Sequence, residues 1–171
     1  MTLVGLILGL VSLQRLGELL LSKRNTDRLR ARGAHEVAAG HYPLIVLLHG
    51  AWLIGLWYLV VWRAPDTDVS WSWFTVFVVL QALRVWVIAT LGWRWTTRII
   101  VLPEAPLISN GPFRFMRHPN YAIVAAEIFV LPMVFGLYTY AIAFTLINGV
   151  LLGVRIRAEN QALQSAASSS Y

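Results

Sequence analysis

Three groups of residues in this chain have the types and spacing to do chemistry. The first is Asn110 to Tyr121, Asn-Gly-Pro-Phe-Arg-Phe-Met-Arg-His-Pro-Asn-Tyr, which sets Arg114, Arg117 and His118 just ahead of a proline and between two apolar blocks. Asn-Gly-Pro interrupts any regular structure before it. Pro119 biases His118 towards extended backbone and itself suits the first position of a helix, so a helix is predicted to begin near Pro119. The free N–H groups and positive dipole end of such a helix, beside Arg114, Arg117 and His118, suit a carboxylate or another anion. The same composition also describes an ordinary anchor at a membrane interface.

The second group is Arg155 and Glu159, spaced i, i+4 and so on one face of a helix running out of the last apolar stretch. As an exposed ion pair they would contribute only a few tenths of a kcal/mol, roughly. The third group comprises Arg15, Glu18, Arg84, Glu127 and Asn148, polar residues inside apolar stretches. Ionisable groups in hydrocarbon are costly and face a bundle interior or a wet cavity. Two readings follow: structural pairs, Arg15 with Glu18 and Arg84 with Glu127, or the lining of a cavity that opens beside the Arg117–Tyr121 turn.

The elements that must position these groups are membrane helices. Hydrophobic residues make up 58% of the chain and charged residues 13%, too apolar a balance for a water-soluble globule. Apolar stretches at 3–21, 44–61 and 73–91 each match the roughly 20 residues that cross a bilayer. The stretch 121–154 reads as two shorter helices joined by a turn near Pro132 and Gly136, with one long kinked helix as the alternative. The fold class expected is an all-α integral membrane protein of five transmembrane helices. Of 14 Lys and Arg residues, Arg15 and Arg84 lie in spans and only Arg63 falls in the second connection. The positive-inside rule therefore places the N-terminus outside, the C-terminus in the cytoplasm, and Arg63, Asp66 and Asp68 in a short external loop. Residues 1–91 form a three-helix part, 92–163 the part with the candidate site, and 164–171 a flexible tail.

Composition also excludes. With no cysteine, thiolate chemistry is absent, and four scattered histidines without ligand spacing argue against a metal. The net charge of +6 sits beside apolar spans, where lipid headgroups account for it better than nucleic acid.

Gly111-Pro112-Phe113-Arg114, Arg117-His118-Pro119-Asn120-Tyr121 and Arg155-x-x-x-Glu159 together closely resemble the isoprenylcysteine carboxyl methyltransferase family of integral membrane enzymes, over roughly residues 93–163. The resemblance implies S-adenosylmethionine as cofactor, held near the cytoplasmic face without a Rossmann domain. By position it implies cofactor binding by Phe113, Arg117, His118, Pro119, Asn120, Tyr121 and Glu159, and places Arg155 on the acceptor side. Phe113 stands where relatives often have tyrosine, and Asn160 where many have a second glutamate. Gln14-Arg15-x-x-Glu18, Gly33-Ala34-x-Glu36, His41-Tyr42-Pro43 and Arg98-Ile-Ile-Val-Leu-Pro103 are similar to a small bacterial subgroup associated with type III polyketide synthases. That similarity implies O-methylation of an alkylpyrone or alkylresorcinol at the inner membrane, a lipophilic acceptor drawn from surrounding lipid.

In that reading Arg155 and Glu127 are the candidate catalytic residues, with Arg155, Arg84 and Arg15 binding the acceptor. A pyrone enol or a carboxylate arrives as an anion. A resorcinol titrates near pH ~10 and needs a base, for which Glu127, His118 or a water is available. The alternatives are carboxyl methylation of an isoprenylcysteine-like substrate, methylation of a phospholipid amine, or a non-catalytic transporter or assembly subunit.

Overall fold

A computed structural model describes residues 3–37, 39–63, 67–103, 105–106 and 108–168, without the side chains of His41, Arg63 and residues 162–168. Asp66 and the last three residues of the expected tail lie outside the described residues. Five helices dominate: α1 (Leu3–Arg30), α2 (Tyr42–Trp57), α3 (Trp71–Leu91), α4 (Pro119–Val134) and α5 (Tyr138–Ser168). Four of them are long and apolar enough to cross a membrane. The exception is α4, which is apolar but shorter, at 16 residues.

Helix limits follow local chemistry, and several differ from the sequence reading. α1 continues nine residues beyond Leu21, because Ser22, Asn25, Thr26 and Leu29 keep a buried stripe at helical spacing while Lys23, Arg24 and Arg28 point to solvent. α2 passes into a π-helical turn at Tyr58–Arg63. Pro119 occupies the first turn of α4, as its fixed φ favours, with His118 at the N-cap. Between α4 and α5 the chain turns at Gly136, where φ is +68°, a conformation that glycine adopts without strain. That hairpin replaces the single kinked helix. α5 stays helical through Ser168 and so includes part of the segment expected to form a flexible tail.

The helices alternate in direction, and their contacts fix this. Ser22 and Asn25 of α1 meet residues 92–97, and Gln14 meets Gln81, so α1 and α3 run parallel. The Trp57 indole N–H donates to Ser12 Oγ, so α2 runs against α1. Ser70 N–H, just before α3, donates to Val134 O at the far end of α4. α4 begins beside Leu83 and Trp86 and ends at the start of α3, so the two are antiparallel. At that far end Val4, Leu8, Trp52, Leu56, Phe77, Ile128, Leu131 and Val134 pack into one buried apolar core.

The opposite end collects the connections. Two short strands, β1 (His35–Glu36) and β2 (Ile100–Val101), pair antiparallel and tie the α1–α2 connection to the α3–α4 connection. The Asn110–Arg117 segment enters through a 3-10 turn at Gly111–Arg114. Gly111 has φ of +57°, and a Cβ there would lie 2.7 Å from Thr90 Oγ1, so close approach and backbone sign both call for glycine.

Candidate functional site

At this end a cavity of about 670 Å³ opens between residues 94–102, the 108–121 segment and the end of α5. His118, Pro119, Asn120 and Tyr121 form one side because Pro119 starts α4 there and turns the first-turn side chains inward. Arg155, Glu159 and Asn160 line the facing side; Arg155 and Glu159 share a helix face through their i, i+4 spacing. Arg94, Trp95, Thr96, Arg98 and Ile99–Leu102 form the third wall.

The side chains are linked. His118 and Tyr121 stack with ring centroids 5.4 Å apart. His118 Nε2 lies 3.2 Å from Asn160 Oδ1 and its Nδ1 3.8 Å from Glu159 Oε2. The Tyr121 hydroxyl donates a short hydrogen bond to Glu159 Oε2 and accepts one from Arg155 Nε at 2.8 Å. Arg155 Nη2 donates to the Thr97 carbonyl at 2.5 Å, and Nη1 has no hydrogen bond among the described residues. Asn120 Oδ1 and Trp95 Nε1 are buried atoms without a partner. Buried polar atoms are ordinarily satisfied, and such exceptions beside a cavity fit a bound polar ligand. Arg94 donates to Pro106 O at 2.8 Å; Arg98 pairs with Glu36 at 2.6 Å and lies over the Tyr42 ring.

All seven residues assigned to the cofactor, Phe113, Arg117, His118, Pro119, Asn120, Tyr121 and Glu159, line this one cavity together with Arg155. Glu127, Arg84 and Arg15 do not. They sit deeper, in a closed cluster with Glu18, Gln14 and Gln81 between α1, α3 and α4. Arg84 grips both Glu18 oxygens at 2.6 Å and reaches Glu127 at 2.8 Å, while Arg15 bridges Glu18 at 3.1 Å and Glu127 at 2.7 Å. Glu127 is fully buried, one oxygen taken by Gln81 and the other by both arginines. The pairs drawn from sequence are therefore interlocked. Asn148 is buried on α5 and shares no hydrogen bond with the cluster; its Nδ2 has no partner.

Several site residues escaped the sequence reading. Thr97 contributes a main-chain carbonyl, which leaves no mark in sequence, and Trp95 was given no role. Arg94 entered only as topogenic charge, and Arg98 also as the first residue of the Arg98–Pro103 similarity; neither was assigned to the site. Ser22 and Asn25 did carry a signal, the polar continuation of the α1 stripe, hidden by ending the helix at Leu21. A second, wholly apolar groove of about 290 Å³ lies on the other side of Pro119, between Leu80, Leu83, Trp86, Phe115, Met116 and Ile123.

A mostly helical integral membrane protein with an arginine-bearing cavity at one end of its bundle is the class that this fold and site define. Residues 73–165 match the model of the isoprenylcysteine carboxyl methyltransferase (ICMT) family. The chain belongs to that family, and is thus a member of a group of membrane methyltransferases. It is 35% identical over 160 residues to "Uncharacterized protein YpbQ" of Bacillus subtilis (strain 168), covering 93% of this chain and 95% of that one. A second relative, "Uncharacterized protein" of Haemophilus influenzae (strain ATCC 51907 / DSM 11121 / KW20 / Rd), is 25% identical over 87% of this chain and 88% of its own. No solved structure matches.

Proposed function

We propose that the protein transfers a methyl group from S-adenosylmethionine to an oxygen of a lipophilic acceptor, an alkylpyrone or alkylresorcinol. The observation that carries this reading is the convergence of the His118–Tyr121 turn, Arg155 and Glu159 on one cavity. Its volume lies in the range of about 300–1,000 Å³ usual for small-molecule sites. The residues present suit the cofactor. Glu159 offers a carboxylate for its ammonium, Arg117 and His118 offer positive or donor groups for its carboxylate, and Asn120 Oδ1 and Trp95 Nε1 are spare for an adenine edge.

When bound, the cofactor supplies a methyl sulfonium open to in-line displacement. The chain's part is to align the acceptor and exclude water. Arg155, held through Nε and Nη2, keeps Nη1 for the acceptor oxygen. Arg94, Arg98, Arg117 and Arg155 against Glu159 give the lining an excess of positive charge that favours an anionic oxygen. For a resorcinol, His118 is the cavity group placed to take the proton. Glu127, whose oxygens are all occupied, is a structural residue in this reading, as are Arg15 and Arg84. The alkyl tail occupies the apolar groove beyond Pro119, where each buried CH₂ contributes roughly 0.8 kcal/mol.

The proposal extends to topology. Five crossings, with α4 as the shortest, are supported by the Ser70–Val134 contact, and the positive-inside rule sets the cavity on the cytoplasmic face of the plasma membrane. Single cysteines at Thr67 and Ser165, introduced into this cysteine-free chain, label from opposite sides if this is right.

The family's own name favours a second acceptor, the carboxylate of an isoprenylcysteine-like molecule. Membranes containing the protein are incubated with labelled S-adenosylmethionine and long-chain alkylpyrone, alkylresorcinol, prenylcysteine or phosphatidylethanolamine. Label on the pyrone or resorcinol oxygen supports the first reading, and label on prenylcysteine alone replaces it. A purified protein that binds no S-adenosylhomocysteine removes both.

A further inference from the structure

We infer that Ser22, with Asn25 beside it on α1, is a positioning residue for Arg155, acting through the main chain of Thr97. Ser22 is buried, and its hydroxyl accepts the Thr97 N–H at 2.8 Å and lies 2.8 Å from Thr97 Oγ1. Thr97 Oγ1 in turn lies 3.1 Å from the Tyr42 hydroxyl at the start of α2. Three residues on, Asn25 Nδ2 donates to Gly92 O at 3.2 Å and to Trp95 O at 2.8 Å. The segment 92–97 holds one 3-10 turn at Gly92–Arg94, closed by Trp95 N–H to Gly92 O at 3.1 Å, and these two side chains bond three of its main-chain groups, Gly92 O, Trp95 O and Thr97 N–H. Groups at i and i+3 share a helix face, so one stripe of α1 pins the whole segment.

The far side of that segment holds the guanidinium. The Thr97 carbonyl takes Arg155 Nη2, and Tyr121 takes Nε, which leaves the fork one orientation, with Nη1 unbonded among the described residues. The Thr97 N–H and C=O flank one Cα, so losing the Ser22 hydroxyl frees the Thr97 φ and ψ that aim the carbonyl, and Arg155 loses one of its two anchors without any change to a residue that lines the cavity. Ser22 lies outside the residues that match the family model, so this link ties the N-terminal helix to the site.

The test reads Arg155 itself, in the purified full chain, by mass-spectrometric measurement of its modification rate by phenylglyoxal; Arg84, sealed in the buried cluster, reports general opening. In Ser22→Ala the Arg155 rate should rise roughly fivefold, the change that corresponds to one net hydrogen bond of about 1 kcal/mol, with Arg84 still protected. Ser22→Thr keeps the hydroxyl and should restore the slow rate. Thr97→Val removes only the side-chain half of the contact and should give an intermediate rate; it carries the test if Ser22→Ala does not fold. An unchanged Arg155 rate, or Arg84 rising in step with Arg155, overturns the inference. The functional consequence rests on the acceptor role proposed for Arg155: Ser22→Ala should lower kcat/KM with a long-chain alkylpyrone while S-adenosylhomocysteine affinity holds. If the pyrone is not methylated by the wild-type protein, that role fails, and the modification rates still decide the link.

Discussion

Two polar clusters of the protein both combine arginine with glutamate, and they differ in completeness. In the bundle interior two carboxylates, Glu18 and Glu127, meet two guanidiniums, Arg15 and Arg84, with Gln14 and Gln81 closing the gaps; of these side chains' buried atoms only Arg15 Nε lacks a partner. At the cavity Arg155, Tyr121 and Glu159 form a chain with loose ends: Arg155 Nη1, Asn120 Oδ1 and the exposed Arg117. A closed, charge-balanced network in low dielectric holds helices together, and it is costly to break because every partner lost leaves a buried charge. An open one has atoms to give a ligand. Charge inside an apolar span is therefore not by itself a sign of an open site; hydrogen-bonding capacity left over beside a cavity is what a ligand could use.

The largest effect expected from this contrast is at Glu127. Glu127→Ala leaves two guanidiniums facing one carboxylate and should cost about 3–5 kcal/mol of stability, the range for one partner removed from a buried ion pair. Thermal melting in detergent checks this. A variant that melts like the wild type yet has no methyl transfer would move Glu127 into the chemistry as a base and dissolve the contrast.

Arg155→Lys comes next. Lysine keeps the charge but loses the planar fork that meets Tyr121 and Thr97 while offering a third nitrogen. kcat/KM should fall by an amount corresponding to about 2–4 kcal/mol, as for loss of an electrostatic contact made in the transition state. S-adenosylhomocysteine affinity, measured calorimetrically, should stay within a few-fold. Lost cofactor affinity with normal turnover at saturation would transfer Arg155 to the cofactor side.

The local part of this arrangement was legible in the sequence. The proline after His118 gave the start of α4, and i, i+4 spacing put Arg155 and Glu159 on one face. That the residues assigned to the cofactor would line one cavity was recoverable because they come from one contiguous turn and one helix, both local in sequence. What was not legible is pairing across helices. Arg15 with Glu18 is local and was read correctly as a contact, but that Arg84 would grip Glu18 as well as Glu127 depends on how α1, α3 and α4 rotate about their axes. Nearly uniform apolarity around each span gives little signal for that rotation. The roles assigned to Arg15, Arg84 and Glu127 came from depth alone, and depth does not distinguish a closed cluster from a cavity wall.

Glu159→Ala should have a smaller effect, and of the other kind. Its side chain is partly exposed and, among the described residues, one of its oxygens is engaged, by Tyr121 and at longer range by His118. S-adenosylhomocysteine affinity should weaken by about 1.5–3 kcal/mol, the worth of a hydrogen bond to a charged group. The melting temperature should barely move. A large fall in melting temperature with unchanged affinity would make Glu159 a structural partner like Glu127.

The smallest effect isolates the variable behind the comparison. Arg30 Nη2 meets Glu36 at 2.7 Å, the same distance as Arg15 to Glu127. The Arg30 side chain is 52% exposed, however, and that of Arg15 only 18%. Glu36 also keeps Arg98 at 2.6 Å if Arg30 is removed, so no charge is stranded. Arg30→Ala should therefore change stability by no more than about 1 kcal/mol, less in high salt, since exposed pairs gain little and are screened. Equal bond lengths with unequal costs would show that the deep cluster owes its importance to burial and closure. A loss from Arg30→Ala as large as that from Glu127→Ala would mean that the short strand pair closing the cavity end, to which Glu36 belongs, stabilises the fold as much as the bundle interior does.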